Sequence, residues 1–400
     1  MASSLKSKRK ALKNKSILLG ITGGVAAYKA IDLIRRLREE NAAVTVIMTG
    51  AAKHFVTPLS LETASGKPVY SDLFSNPMAH ITLPSLADVM VIAPATANLI
   101  GKFANGIADD LLSTCLLSCN AKVVIAPSMN WRMYENTAVR ENLCKLLSRG
   151  IIQIGPERGT LACGEEGIGR MSDVPDIIEA IKSALTKKDL SGEKIIVTAG
   201  PTREYLDPVR FLSNRSSGKM GYAIAGAALR RGAEVTLISG PSRLLPPKGA
   251  VFVPVETAED MLKAVDKYSP SFTTLIMTAA VSDFRPEEIS GTKIAKSDDL
   301  FLKLVRTPDI ISAARKKKPD LFIIGFAAET GPEFEKAKKK LQDKNMDMII
   351  FNDVTEPGAG FDVDTNKVVI IDKEQEASLP LMGKDAVADE ILDRLIKIRA

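Results

Sequence analysis

The residues of this chain best suited to chemistry stand just after short apolar runs, often beside glycine. Thr22, Gly23 and Gly24 follow Ile17–Ile21, and Thr49 follows Val44–Met48. Ala95–Asn98 and Ser128–Asn130 follow Val89–Ala93 and Val123–Ala126. Hydroxyls, neutral amides and unshielded backbone N–H groups in such places suit a phosphate set on a helix N-terminus. A second series, Gly200–Thr202, Ala279–Asp283 and Phe326–Thr330, follows later apolar runs. Cys163 lies in GTLACGEEGIGR, a glycine-rich stretch with nearby charges that can present a thiol to a ligand. Cys115, Cys119 and Cys144 sit in apolar helical patterns and read as core. With no CxxC pair and only two histidines, His54 and His80, a structural zinc site is disfavoured.

These positions need a scaffold that brings strand ends together. In the first half, helical spacing covers Ala26–Glu40 and Val174–Leu185. The polar stretch Lys187–Glu193 reads as a domain boundary. The pattern then restarts, with strands at Lys194–Thr198, Val235–Ser239, Thr274–Thr278, Leu321–Gly325 and Met348–Phe351, and helices at Gly221–Arg231 and Glu333–Lys344. Alternating strands and helices imply an α/β chain of two tandem, doubly wound, Rossmann-like and mostly parallel sheets. The expected domains are 16–189 and 190–400, behind a basic tail at 1–15. Ligands in such sheets bind at the carboxyl ends of the strands, where the residues above stand.

Composition narrows the class. Four hundred residues exceed one ordinary core, and 45% hydrophobic with 26% charged residues is ordinary for globular protein. The net charge of +6 is matched by Lys6, Lys8, Arg9, Lys10, Lys13 and Lys15 alone. The tail reads as a solvated arm, and the near-neutral body carries no nucleic-acid footprint. No apolar stretch is long enough for a membrane span, and no secretory signal is visible. Four cysteines in so large a chain fit a reducing cytoplasm.

The nucleotide can be bracketed. GITGG is not a full GxGxxG, and the second strand ends at Thr49 where a nicotinamide site places an acid. In the second half the equivalent strand ends at Ser239. A nicotinamide dehydrogenase is therefore disfavoured twice, whereas flavin mononucleotide needs only one phosphate site plus hydroxyls and amides. SSGKMG at Ser216–Gly221 is not a Walker A motif, because Met220 stands where Ser or Thr must meet magnesium. It reads equally as an anion-binding turn or a plain helix entry.

The order of longer words is more specific. GITGGVAAYK, the histidine of PMAHITL, APATANLIGKFANGIADDLLST, APSMNWRMY and ACGEEGIGRM make Ile17–Met171 resemble the homo-oligomeric flavin-containing cysteine decarboxylases. TAGPTREYLDPVRFLSNRSSGKMGYAIA, TAAVSDFRP, TKIAK, RTPDII, GFAAET and FNDV make the remainder resemble phosphopantothenate–cysteine ligase. Together they look like the fusion of phosphopantothenoylcysteine synthetase and decarboxylase.

The resemblance implies a flavodoxin-like first domain holding FMN through Gly23, Gly24, Thr49, Thr96, Asn98 and Ser128. It implies His80 as base or electrostatic partner, Asn130 as donor to the substrate carboxylate and Cys163 as proton donor. His54 matches no catalytic position. For the second domain it implies activation of 4′-phosphopantothenate by CTP to an acyl-cytidylate, then attack by cysteine. Lys293 then lies near the α-phosphate and Asn214 near the acyl-cytidylate. Ala279, Pro308, Asp309, Ile310, Ile311, Phe326, Lys340 and Lys344 contact the nucleotide, and Asp283 reads the cytosine edge. Ala295 stands where the family often has a further lysine. Mg2+ is expected to arrive with CTP, and a trimer-based or dodecameric homo-oligomer is implied. Two alternatives come from other classes. A catalytically silent regulatory flavoprotein is opposed by the joint presence of His80, Asn130 and Cys163; a nicotinamide oxidoreductase is opposed by Thr49 and Ser239.

Overall fold

A computed structural model describes residues 11–160, 164–296, 300–331 and 334–399. The chain divides into two compact units between Thr186 and Lys187.

The first unit is a six-stranded parallel sheet with helices on both faces. Its elements are β1 (Ser16–Ile21), α1 (Lys29–Glu39), β2 (Ala43–Met48), α2 (Pro58–Ser65), β3 (Val69–Tyr70), α3 (Ala79–Ser85), β4 (Val89–Ala95), α4 (Ala97–Asn105), α5 (Leu111–Ser118), β5 (Lys122–Pro127), α6 (Trp131–Glu135), α7 (Thr137–Ser148), β6 (Ile152–Gln153), the hairpin β7 (Glu157–Thr160) and β8 (Glu166–Arg170), and α8 (Val174–Leu185). The sheet order is β3-β2-β1-β4-β5-β6. Without the two-residue edge strand β3, this is the flavodoxin order, with the reversal between β1 and β4.

Central parallel strands are covered on both faces and so are apolar throughout. Ile17, Leu19 and Ile21 of β1 pack with Leu33, Ile34 and Leu37 of α1 and with Ile177 and Ile181 of α8. Leu18 points the other way, into a layer with Leu99, Leu112, Leu116 and Leu146. α1 is a helix because Ala30, Leu33, Ile34 and Leu37 form one buried stripe at the 3.6-residue period. Each fully buried leucine there contributes roughly 1.5–3 kcal/mol.

The expected solvated arm ends sooner than residue 15. Leu12 is fully buried in the same core, the Asn14 N–H donates to the Asn41 carbonyl, and Lys15 pairs with Asp88 at 3.0 Å. A lone leucine among lysines carries no periodic signal, so this docking was not legible.

The second unit runs β9 (Lys194–Ala199), β10 (Arg203–Tyr205), β11 (Phe211–Ser213), α9 (Lys219–Arg230), β12 (Glu234–Ser239), β13 (Val251–Pro254), α10 (Ala258–Tyr268), β14 (Thr274–Met277), β15 (Phe284–Pro286), β16 (Leu304–Arg306), α11 (Ile310–Lys317), β17 (Phe322–Glu329), α12 (Phe334–Asp343), β18 (Met348–Asp353), β19 (Thr365–Asn366), β20 (Val368–Asp372), β21 (Glu376–Ser378), β22 (Met382–Gly383) and α13 (Lys384–Arg399). Its main sheet is β13-β12-β9-β14-β17-β18-β20-β21. The first six strands repeat the doubly wound order of the first unit; β20 and β21 extend it antiparallel. Two small hairpins, β10–β11 and β15–β16, stand just beyond the carboxyl ends of β9 and β14. Among the described residues, no helix is long and apolar enough to cross a membrane.

Candidate functional sites

Each unit holds one large cavity at the reversal of its strand order. In the first unit it measures about 920 Å³ and lies beyond β1, β2, β4 and β5. Gly23, Gly24, Thr49, Thr96, Asn98, Ser128 and Asn130 all line it, as the resemblance requires. Thr22 joins the two central strand ends. Its hydroxyl donates to the Pro94 carbonyl at 2.7 Å and accepts from the Thr96 N–H at 3.1 Å. Gly23 is needed for close approach, because a Cβ there would lie 2.5 Å from Ala51 Cβ. Thr49 caps the turn after β2 by accepting from the Ala52 N–H at 3.3 Å. Thr96 is the N-cap of α4, yet its side chain makes no capping bond, so the first N–H groups of α4 remain available to a ligand.

The cavity's cations are already paired. Lys102 meets Asp109 at 2.7 Å and Asp110 at 3.1 Å; Lys29 and Arg170 meet Asp173 at 3.1 and 3.3 Å. The Lys102 ammonium is held above the usual lysine range, chiefly by its bond to Asp109. Sequence reading missed Lys102 and Arg170, although ADD after the glycine of FANG marks the partner of Lys102. With its charges self-neutralised and its hydroxyls and N–H groups open, the cavity suits a ligand with one phosphate and a broad polar ring, as FMN has.

One sequence expectation falls outside this cavity. His80 sits on α3, which packs against α5, and does not line the cavity of its own chain. Its Nδ1 is buried without a hydrogen-bond partner, and its carbonyl accepts from the Ser118 hydroxyl. Cys163 lies outside the described residues.

The second cavity, about 880 Å³, lies beyond β14, β17 and β18 and beside the start of α9. Asn214, Ala279, Asp283, Pro308, Asp309, Ile310, Ile311, Phe326, Lys340 and Lys344 line it together. The Asn214 amide donates to the Val281 carbonyl at 2.9 Å, fixing it over the strand end. Gly221 lets α9 approach the sheet, since a Cβ there would lie 2.4 Å from Thr278 Oγ1. The Ala279 N–H donates to Thr198 Oγ1 at 3.2 Å, tying β14 to β9.

Positive charge dominates this wall. Arg215, Lys219, Arg306, Lys340, Lys344 and Lys384 line it against Asp283 and Asp309. Lys344 meets Asp309 at 3.0 Å, while Lys340 has no ion-pair partner among the described residues. Burial first, and then the neighbouring Lys344 charge, push the Lys340 ammonium below the usual lysine range. Asp309 also caps α11, accepting from the Ser312 N–H at 3.2 Å. Burial pushes its carboxyl up, yet the bonds from Ser312 and Lys344 hold it below the usual range. The start of α11 is therefore partly occupied by its own acid.

Lys293 is not brought here: it is exposed on the segment between β15 and β16 and does not line the cavity. The segment is anchored through the neighbouring Ile294 N–H, at 3.1 Å from Asp207 Oδ2, and the Ser290 N–H, at 3.0 Å from the Leu206 carbonyl. The SSGKMG turn is an α-helix entry with Gly218 left-handed at φ 79°. Its Lys219 is bound at 2.7 Å to Asp364 and at 2.9 Å to the Asp362 carbonyl. Lys384 was missed; its ammonium is wrapped by the carbonyls of Gly360, Phe361 and Val363 at 3.4, 3.2 and 2.6 Å.

Fold and site define a tandem of two doubly wound nucleotide-site units, one neutral and one cationic. The first matches the Flavoprotein family model over residues 5–186, and the second matches that of the DNA/pantothenate metabolism flavoprotein C-terminal domain over 190–398. The coenzyme A biosynthesis bifunctional protein of Vibrio cholerae is 45% identical over 95% of this chain and 98% of that protein. Its Bacillus subtilis counterpart is 46% identical over 96% of this chain and 97% of that protein. A crystal structure of the C-terminal domain of such a bifunctional protein is 42% identical, covering 53% of this chain and 98% of that one at a TM-score of 0.46. The chain belongs to the family of coenzyme A biosynthesis bifunctional proteins.

Proposed function

We propose that this chain carries out two consecutive steps of coenzyme A synthesis. Residues 190–400 join 4′-phosphopantothenate to cysteine at the expense of CTP, through an acyl-cytidylate. Residues 16–189 decarboxylate the resulting phosphopantothenoylcysteine to 4′-phosphopantetheine with FMN. The observation that carries this reading is the contrast between the cavities: one self-neutralised wall suited to a single phosphate, and one cationic wall suited to a triphosphate.

In the ligase, Lys340 in the last turn of α12 and Lys344 just past its end meet the phosphates as they leave. The Asp283 carboxylate accepts from the exocyclic amine of cytosine, which uracil lacks. Asn214 holds the acyl group at the end of β14, and Lys293 reaches the α-phosphate when its segment moves inward. Among the described residues no three His, Cys, Asp or Glu side chains are grouped to hold a metal. Mg2+ enters with the triphosphate of CTP.

In the decarboxylase, FMN when bound supplies reversible two-electron oxidation of the substrate. Gly23 lets the Ala51 turn close on the strand ends, the open N-terminus of α4 would receive its phosphate, and Thr49, Asn98 and Ser128 would hold its polar edges. The Asn130 amide holds the substrate carboxylate without the stronger stabilisation a guanidinium would give. Cys163 donates a proton to the enethiolate left by decarboxylation as that enethiolate is reduced. His80 cannot serve its own cavity and acts at that of a neighbouring copy, which requires a homo-oligomer. Exposed Val25, Tyr28 and Met133 at the cavity, and exposed Met78, Ile81, Leu86 and Leu117 around α3, support such an assembly. The three described cysteines are unpaired, in keeping with a cytoplasmic setting.

Incubation with 4′-phosphopantothenate, cysteine and CTP should yield 4′-phosphopantetheine, and the purified protein should show a flavin absorbance band. Accumulation of phosphopantothenoylcysteine by a flavin-loaded protein would refute the decarboxylase half; no amide formation would refute the ligase half.

A further inference from the structure

The segment between β18 and β19 borders one end of the second cavity, where Gly360 and Phe361 line it beside Lys384, the first residue of α13. Lys384 is 7% exposed. Its ammonium donates to the carbonyls of Gly360, Phe361 and Val363 at 3.4, 3.2 and 2.6 Å, one acceptor for each of its N–H bonds. Among the described residues no carboxylate pairs with it, because the acids beside it serve other cations: Arg215 meets Asp362 at 2.7 Å and Lys219 meets Asp364 at 2.7 Å. Other groups hold the same run of carbonyls. Ala359 accepts from the Asn352 amide at 3.0 Å, Phe361 from the Ser217 hydroxyl at 2.7 Å and Asp362 from Lys219 at 2.9 Å.

Burying an ammonium without an ion-pair partner is costly. Burial first, and then the nearby Lys219 charge, push Lys384 below the usual lysine range. The three carbonyl dipoles, with the more distant charges of Asp364 and Asp362, offset that cost. Converging backbone carbonyls are also the donor set that replaces the water shell of potassium in a selectivity filter. The ammonium of Lys384 therefore stands where the same three oxygens could hold a free monovalent cation. It differs from such an ion in being tethered to the start of α13, whose Lys384 N–H donates in turn to the Asp364 carbonyl at 3.0 Å.

We propose that Lys384 is a built-in monovalent cation: its tethered ammonium serves in place of a bound potassium ion, gathering the carbonyls of Gly360, Phe361 and Val363 and so fixing the wall that Gly360 and Phe361 present to the ligase substrates. This rests on the ligase reading of the second cavity. Lys384 is a positioning residue that acts through the segment it gathers, and no bond is made or broken. A free ion would have to be captured from solution, and the order of the wall would then follow the salt concentration. The tethered ammonium removes that dependence, so ligation by the wild type is indifferent to the choice between sodium and potassium.

Replacing the tethered cation by a free one separates this from a purely structural role. In the full-length, flavin-loaded enzyme, Lys384→Ala removes the ammonium and leaves its three carbonyls facing open space. Assayed with 4′-phosphopantothenate, cysteine, CTP and Mg2+ in sodium salts, this variant should lose roughly ten- to a hundredfold in kcat/KM for ligation, as expected for lost hydrogen bonds to a charged group. Potassium or ammonium at the same ionic strength should recover at least about fivefold of that loss, because either ion can bind the freed carbonyls. Lithium should recover none of it, and the wild type should gain nothing from any of these ions. Lys384→Met, whose side chain keeps the space filled, should lose as much in sodium and gain nothing from potassium. Potassium should also raise the thermal midpoint of Lys384→Ala and slow its amide exchange across 358–364, with no such effect on the wild type. A Lys384→Ala protein as active in sodium as the wild type overturns the proposal, as does one that stays impaired or unfolded in every salt. Equal stimulation of the wild type or of Lys384→Met overturns it too. A wild type that binds CTP but forms no amide refutes the ligase reading instead, and melting and exchange, which need no turnover, then still decide the role of Lys384.

Discussion

The two cavities occupy the same place in the same strand order, yet one wall is neutralised by its own ion pairs and the other is left positive. In the first, Lys102, Lys29 and Arg170 face Asp109, Asp110 and Asp173, and little net field reaches the ligand. In the second, Lys340 has no ion-pair partner among the described residues and is desolvated, so its ammonium is costly until an anion arrives. The shared fold supplies the position of a site, and the pairing of its charges decides what the site holds.

The largest test is a pair of mirror substitutions at the two glycines that make room for ligand or helix. Gly23→Val should abolish the flavin band while leaving CTP-dependent ligation near wild type. Gly221→Val should reduce ligation by more than about a hundredfold while leaving the flavin band, because the clash falls on the Thr198 and Thr278 framework of the second cavity. Loss of both properties in either variant would break the comparison.

Next in size is Lys340→Met, which should raise the KM for CTP by roughly ten- to a hundredfold, as expected for a lost charge-assisted contact. Lys344→Met should cost less, since Lys344 already serves Asp309. Equal effects would mean that pairing does not set the hierarchy. Asp283→Asn should reduce the preference for CTP over UTP by about tenfold, read from the ratio of kcat/KM values, with little change in flavin content.

The smallest effect is on pH. The free-site pKa of Lys340 is depressed, so its charged form costs stability at neutral pH and the cost is relieved as pH rises through that value. Binding a triphosphate favours the charged form and so raises the pKa. CTP affinity should therefore fall as pH rises through the depressed value, and CTP binding near it should take up protons, measurable by calorimetry in buffers of different ionisation enthalpy. Lysine pairs in the first cavity predict no matching fall in flavin retention over the same range.

Much of this was legible in local sequence. Apolar runs followed by Thr22-Gly23-Gly24, Thr96 or Ala279–Asp283 announce buried parallel strands with a site at their ends, because both the core and the ligand act on neighbouring residues. What was not legible depends on distant pairing. Val368–Asp372 looks like any apolar run, and only its register against Met348–Asn352 makes it antiparallel. Lys384 reads as a solvated lysine at a helix start, since its partners are carbonyls more than twenty residues earlier. His80 and Lys293 carry the right words but stand away from the cavities of their own chain, because a motif specifies a residue and not where distant packing carries it.

The strands at the rims of the two main sheets have a separate consequence. Val69–Tyr70 and Ile152–Gln153 are two residues each, Glu376–Ser378 is three and Val251–Pro254 is four and ends in proline. Unpaired backbone groups on so short a rim offer little template for another chain to add a strand. The long apolar strands at the centre are thereby kept from the ordered, fibre-forming stacking to which their composition would otherwise lend itself.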